Sequence, residues 1–228
     1  IRMRREGDRL FFERSPGSGI WEIIHHLDLQ PNWESVHGGI FTSTEAVHGL
    51  KVGFDYLMLV SPEDSSPSSG DIVVSEVMYN PLEGSDYEFI ELYNVGGNPV
   101  DLTGFSLPQG KPVNEFVFPE SSIGAGEYLL VVANRASFLS KYGQALDPQI
   151  IGAWSGGKLN NNGEEIVLLD ADGNLVTSFV YDNNNSWPTQ PDGGSYSLVL
   201  TNPLLGNTSD GSLWTSSSGV GGSPGKAE

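Results

Sequence analysis

Residues 72–94 read IVVSEVMYNPLEGSDYEFIELYN, and this stretch decides the fold class. Ile72–Tyr79 is an apolar, β-branched run that stops at Asn80-Pro81, where the ring removes a donor and restricts the preceding residue. Glu88–Asn94 alternates polar and apolar positions and stops at Gly96-Gly97. Two runs of strand length with breakers at their ends predict two short β-strands, because successive side chains on a strand point to opposite faces.

The same punctuation continues downstream. Gly104–Leu107, Glu115–Phe118, Glu127–Ala133, Glu165–Asp170, Leu175–Tyr181 and Ser195–Leu200 are further strand candidates. Ala171-Asp172-Gly173-Asn174 reads as a hairpin turn between two of them. Only Arg135–Tyr142 shows a helical turn. Seven or eight short strands with almost no helix predict an all-β, two-sheet sandwich. The Gly- and Ser-rich end predicts a surface strap or tail.

Upstream, residues 61–70 read SPEDSSPSSG, a linker composition. The expected organisation is a β segment over residues 1–60, a linker over 61–70 and a domain over 71–228. The chain of 228 residues is 38% hydrophobic, enough for a folded core. It has no cysteine, which removes disulfides, thiolate nucleophiles and Cys-based zinc sites together. No apolar run approaches a membrane span, so no membrane insertion is expected. No signal segment is visible and the first residue is Ile1, which suggests a piece of a longer protein.

Formal charge is −18, and residues 61–228 carry −16 of it. Such a surface repels nucleic acid and anionic lipid, and it keeps the chain soluble.

Several segments resemble the lamin-tail family of secreted bacterial proteins, in the order expected for it. They are Val74–Pro81, Glu88–Asn94, Asp101–Leu107, Ile123–Tyr128 with Val131–Asn134, and Leu159–Leu168 with its Asn-Asn-Gly-Glu-Glu core. Trp187-Pro188, Asp192–Leu198 and the ending Gly221-Gly222-Ser223-Pro224-Gly225 follow. The resemblance spans residues 71–225 and implies an immunoglobulin-like sandwich without an inter-sheet disulfide. It implies an extracellular or cell-surface accessory module rather than a nuclear one. A sustained heptad, a basic localisation run and a prenylation signal are all missing from the chain. In residues 1–60, Leu10–Ser15, Trp21, Val36–Phe41 and Val52–Leu57 resemble the closing strands of a concanavalin-like jelly roll. Such a partial segment would need a cover, with self-association one way to supply it.

The inventory argues against catalysis. His25, His26, His37 and His48 all precede the linker, so the region after it has no histidine–nucleophile pair. His25 and His26 are adjacent in a predicted strand, which is awkward for one shared metal. No G-x-S-x-G, phosphate-binding loop or H-E-x-x-H is present. Glu76 and Glu91 could meet across paired strands, as a glycosidase pair or as backbone-bonding carboxylates. Asp170, Asp172 and Asn174, with Asp182 beyond the next strand, alternate oxygen donors as a calcium loop does. A plain hairpin turn explains the same residues, and Tyr181 stands where an EF-hand needs its Glu.

Among five tryptophans, Trp33 and then Trp21 are the candidates for stacking on sugar rings. Trp187, beside Pro188, reads as closing one end of the core. The expected function is a non-catalytic interaction, adhesion or spacer module, its partner an unknown protein or polysaccharide. The alternatives are a carbohydrate-binding module using the first segment, or the accessory end of an exported hydrolase.

Overall fold

The computed structural model describes the backbone of residues 2–6, 9–14 and 22–28, and residues 71–108, 110 and 113–228 in full. The chain divides into two compact units, Ile1–Pro62 and Glu63–Glu228. In the first, β1 (Arg2–Glu6), β2 (Arg9–Arg14) and β3 (Glu22–Asp28) form one antiparallel sheet in sequence order. The predicted strands at 36–41 and 52–57 lie outside the described residues.

The second unit is built from β4 (Ile72–Met78), β5 (Phe89–Asn94), β6 (Val100–Asp101), β7 (Ser106–Leu107), β8 (Phe116–Val117) and β9 (Ser122–Ile123). It continues with β10 (Tyr128–Val132), α1 (Arg135–Tyr142), β11 (Ile150–Ala153), β12 (Glu164–Leu169), β13 (Leu175–Tyr181), β14 (Leu198–Leu200) and β15 (Trp214–Ser216). A six-stranded sheet runs β11-β10-β5-β4-β14-β15, and a four-stranded sheet runs β13-β12-β7-β8. β6 and β9 pair separately. This is an all-β sandwich of the immunoglobulin-like, lamin-tail type, with α1 as the one α-helix among the described residues. No helix among them is long and apolar enough to cross a membrane.

The core follows from the period of two. Val77, Tyr79, Ile90, Leu92 and Val131 turn inward to meet Leu107, Ile166, Leu168 and Phe179 of the facing sheet. Met78, Phe89, Leu130 and Val132 turn outward and would meet water, but α1 covers them with Phe138 and Leu139. The Phe89 and Phe138 rings pack edge to face, with centroids 5.7 Å apart. β4 is therefore buried along its whole length, which is why Ile72–Met78 reads as a nearly continuous apolar run. The helix starts where the Asn134 side chain accepts the Ser137 N–H at 3.0 Å, and ends at Gly143 with φ of 99°.

Trp154, Trp187 and Trp214 are buried in the core, so none offers a face for a sugar ring. Trp187 and Trp214 lie 5.9 Å apart, and Trp214 stacks on Phe179 at 4.9 Å.

Several elements differ from the sequence expectation. Ile150–Ala153 is a strand parallel to β10, reached through α1 and a short 3-10 helix. Trp214–Ser216 adds an edge strand beyond β14. Several strands are only two residues long. Such pieces are too short to show a period and exist because neighbouring chain presents a partner.

β14 pairs with β4 only at Glu76 and Val77, leaving the first half of β4 without a ladder on that side. Asn207 fills the gap like a strand residue: its Nδ2 donates to Val74 O at 2.7 Å, and its Oδ1 accepts Val74 N–H at 2.8 Å. Ser209 Oγ accepts Val180 N–H at 2.8 Å, so the same loop also protects an exposed part of β13.

Candidate functional site

Glu76 and Glu91 stand directly opposite each other on β4 and β5. The register slips between Val74 and Glu76, so Ser75 and Glu76 together oppose Glu91, as at a β-bulge. The bulge lets Ser75 Oγ donate to Glu91 Oε1 at 2.7 Å. Glu76 shares the outer face with Met78, and Glu91 shares it with Phe89. Both carboxylates are 1% exposed.

Their cover is the strap of residues 217–228. Ser223 N–H and Oγ donate to Glu76 at 2.9 and 3.1 Å, and Ser197 Oγ donates to it at 2.5 Å. Gly225 N–H donates to Glu91 Oε2 at 2.6 Å. Around these bonds the strap is tied further. Gly221 N–H donates to Ser195 O at 2.7 Å and Ser217 N–H to Ser197 O at 3.0 Å. The Tyr142 hydroxyl donates to Gly221 O at 2.9 Å, and Gln149 Nε2 donates to Gly225 O at 3.0 Å. Gly222 has φ of 77°, and a Cβ there would press on the Glu76 carboxylate.

Burial drives the electrostatics of this pair. It raises the Glu76 carboxyl above its usual range, against the pull of the serine hydrogen bonds. Burial, and then the neighbouring Glu76 charge, push Glu91 up to about 8. Among the described residues no lysine or arginine pairs with either carboxylate. Glu88 is a third buried carboxylate, pushed up to about 7 by burial. It accepts the Leu159 N–H at 2.8 Å and so fixes the chain entering β12.

The predicted Glu76–Glu91 meeting therefore occurs, and the carboxylates bond to backbone and serine donors. They do not flank an open cleft. Two surface depressions lie elsewhere, one lined by Val100, Asp101, Glu120 and Ser121, another by Lys158, Asn160 and Glu164.

The calcium candidates separate. Asp170 Oδ1 accepts the N–H groups of Asp172 and Asn174 at 3.0 and 2.8 Å, and Oδ2 accepts Asn174 Nδ2 at 3.1 Å. Asp182 Oδ1 accepts Asn183 and Asn184 N–H groups at 2.6 and 3.1 Å. The two aspartates flank opposite ends of β13, and a seven-residue strand is roughly 20 Å long. Among the described residues no group of three or more His, Asp or Glu could hold one metal ion. Trp21 and Trp33 lie outside the described residues.

Residues 65–183 match the Lamin Tail Domain family. The chain belongs to the lamin tail domain family. No curated protein matches it. The lamin tail match contains Glu76, Glu88 and Glu91 but stops before Ser197, Ser223 and Gly225. Yet β14 and β15 extend the same six-stranded sheet, and Pro224 of the strap is buried. The lamin tail unit of this chain thus continues structurally to the strap. Sequence reasoning did not link the Gly-Gly-Ser-Pro-Gly ending to Glu76 and Glu91. The available signal was two glycines beside a serine, a pattern suited to chain passing tightly over buried acceptors.

Proposed function

We propose that this lamin tail domain chain is a non-catalytic interaction, adhesion or spacer module of a larger exported or surface protein. The observation that carries the reading is the state of its acidic side chains. Glu76 and Glu91, the pair best suited to acid–base chemistry, are covered and bonded to Ser75, Ser197, Ser223 and Gly225. A glycosidase pair must face a sugar and a water across open space. Here the same residue types hold the strap of residues 217–228.

The acidic surface supports a partner that is a protein or a polysaccharide rather than a nucleic acid, since phosphate neutralisation needs clustered cations. The test is a panel of glycoside, ester and phosphate substrates, run beside binding to insoluble polysaccharides and immobilised matrix proteins. The expected result is no turnover and retention on one matrix. Turnover that disappears in Glu76→Gln or Glu91→Gln would replace this reading with an enzyme. Polysaccharide retention lost in Trp33→Ala or Trp21→Ala would place the binding function in the first unit.

A further inference from the structure

Residues 217–228 are held to the sheet by an unusual kind of anchor. A surface segment is commonly fixed by apolar packing or by exposed ion pairs. This one donates main-chain and hydroxyl hydrogens to two carboxylates that face each other under it. Among the described residues every hydrogen-bond donor to the pair is neutral: Ser75, Ser197, Ser223 and Gly225.

Among the described residues, the charged and titratable groups around the pair do not supply a counter-charge. From the strap, Glu228 adds a further negative charge that acts on both carboxylates. From α1, Tyr142 faces Glu76, while Lys141 is paired with Glu83 at 2.8 Å. From β10, Tyr128 faces Glu91. Lys226 acts on Glu228. Two opposed, buried carboxylates with no paired basic side chain among the described residues cannot both ionise cheaply. One proton shared by the pair resolves the conflict, leaving one ionised member to accept the strap donors.

We propose that the strap is a proton-dependent latch, docked while the Glu76–Glu91 pair holds one proton and released when that proton leaves. Release hydrates both carboxylates, and water stabilises their ionised forms. It also uncovers Ser195 O and Ser197 O, which the strap otherwise occupies through Gly221 and Ser217. The sign follows from the direction of the Glu91 shift. Its value in the docked state, about 8, lies above the ordinary value of 4.5. Docking is therefore complete in mild acid and lost as pH rises through about 8.

Amide hydrogen exchange on the full chain tests the latch, with protection factors corrected for the intrinsic pH dependence. Release of one proton predicts that protection at Gly221, Ser223 and Gly225 falls about tenfold per pH unit between the ordinary value of 4.5 and about 8. In Glu91→Gln, where only Glu76 is left to titrate, the slope over the same range should be smaller. Carboxyl carbon shifts of the unsubstituted chain provide a second reading that needs no variant. Glu91 should titrate together with the loss of strap protection. Protection that does not change with pH in the unsubstituted chain overturns the latch. So does an equal slope in Glu91→Gln, or a Glu91 that titrates in the ordinary carboxylate range.

Discussion

Gly222 is where a single methyl group would matter most. Its φ of 77° disfavours any other residue, and a Cβ would meet the Glu76 carboxylate. Gly222→Ala should lower stability by about 1–3 kcal/mol, read as a fall in melting temperature. Asn207 is the second sensitive residue, since its amide replaces a ladder partner for both polar groups of Val74. Asn207→Ala should cost roughly 2 kcal/mol, because buried strand groups lose two hydrogen bonds. Asn207→Asp, which keeps the acceptor and loses the donor, should retain part of that stability if the bonds act separately. At this scale the sequence was half legible. Strand periodicity allowed Glu76 and Glu91 to meet across paired strands, but the bulge before Glu76 that sets their register leaves no local mark. Ser197, Ser223 and Gly225 could not be assigned to them, being 121, 147 and 134 residues away.

The β12–β13 hairpin and β11 mark the two extremes of legibility among the elements. Leu175–Tyr181 is a strand with the expected ends, set by the Asp-Gly-Asn turn before it. The Asp170 carboxylate closes that turn by accepting the N–H groups of Asp172 and Asn174. Asp170→Ala should therefore lower the melting temperature, and by the same amount in chelator and in millimolar calcium. A loss that appears only with calcium would make the turn a cation site. Residues Ile150–Ala153, by contrast, pair in parallel with β10 after a crossover through α1. Their four residues carry too little pattern to announce a strand, and parallel pairing depends on chain that lies outside the strand. β14 shows the same dependence: the run expected over Ser195–Leu200 is strand only from Leu198, because Ser195 and Ser197 bond to the strap instead.

The whole second unit has its own interior, with one apolar cluster between the sheets and another beneath α1. Residues 63–228 should therefore express alone as a soluble chain with one cooperative melting transition; a broad, non-cooperative melt would count against an independent core. Its pH dependence should follow the buried carboxylates. Glu88 and Glu91 have folded-state values of about 7 and about 8, above their ordinary 4.5. Their contribution is complete below the ordinary value and lost as pH rises through the folded ones. Exposed Asp101, Asp170 and Asp210 act oppositely, being held below their usual range by nearby donors. The melting temperature should therefore peak in mild acid and decline as pH rises from the ordinary value of 4.5 to about 8. Glu88→Gln should remove the earlier part of that decline.

What the sequence determined by itself was the class of the molecule: an all-β sandwich of short strands, with a helical turn near 135–142. That class rests on periods of two and on breakers at strand ends, carried by residues near one another in the chain, and the ordered segments added the lamin tail resemblance. The tertiary structure alone decided what the Glu76 and Glu91 carboxylates do. Whether a strand carboxylate faces a cleft, a cation or a covering peptide depends on which distant segment folds over it. Here that segment is the strap of residues 217–228, whose N–H groups and hydroxyls reach the pair only after β14 and β15 have joined the sheet. No local pattern records that meeting, because burial is a property of the assembled layers rather than of any residue in them.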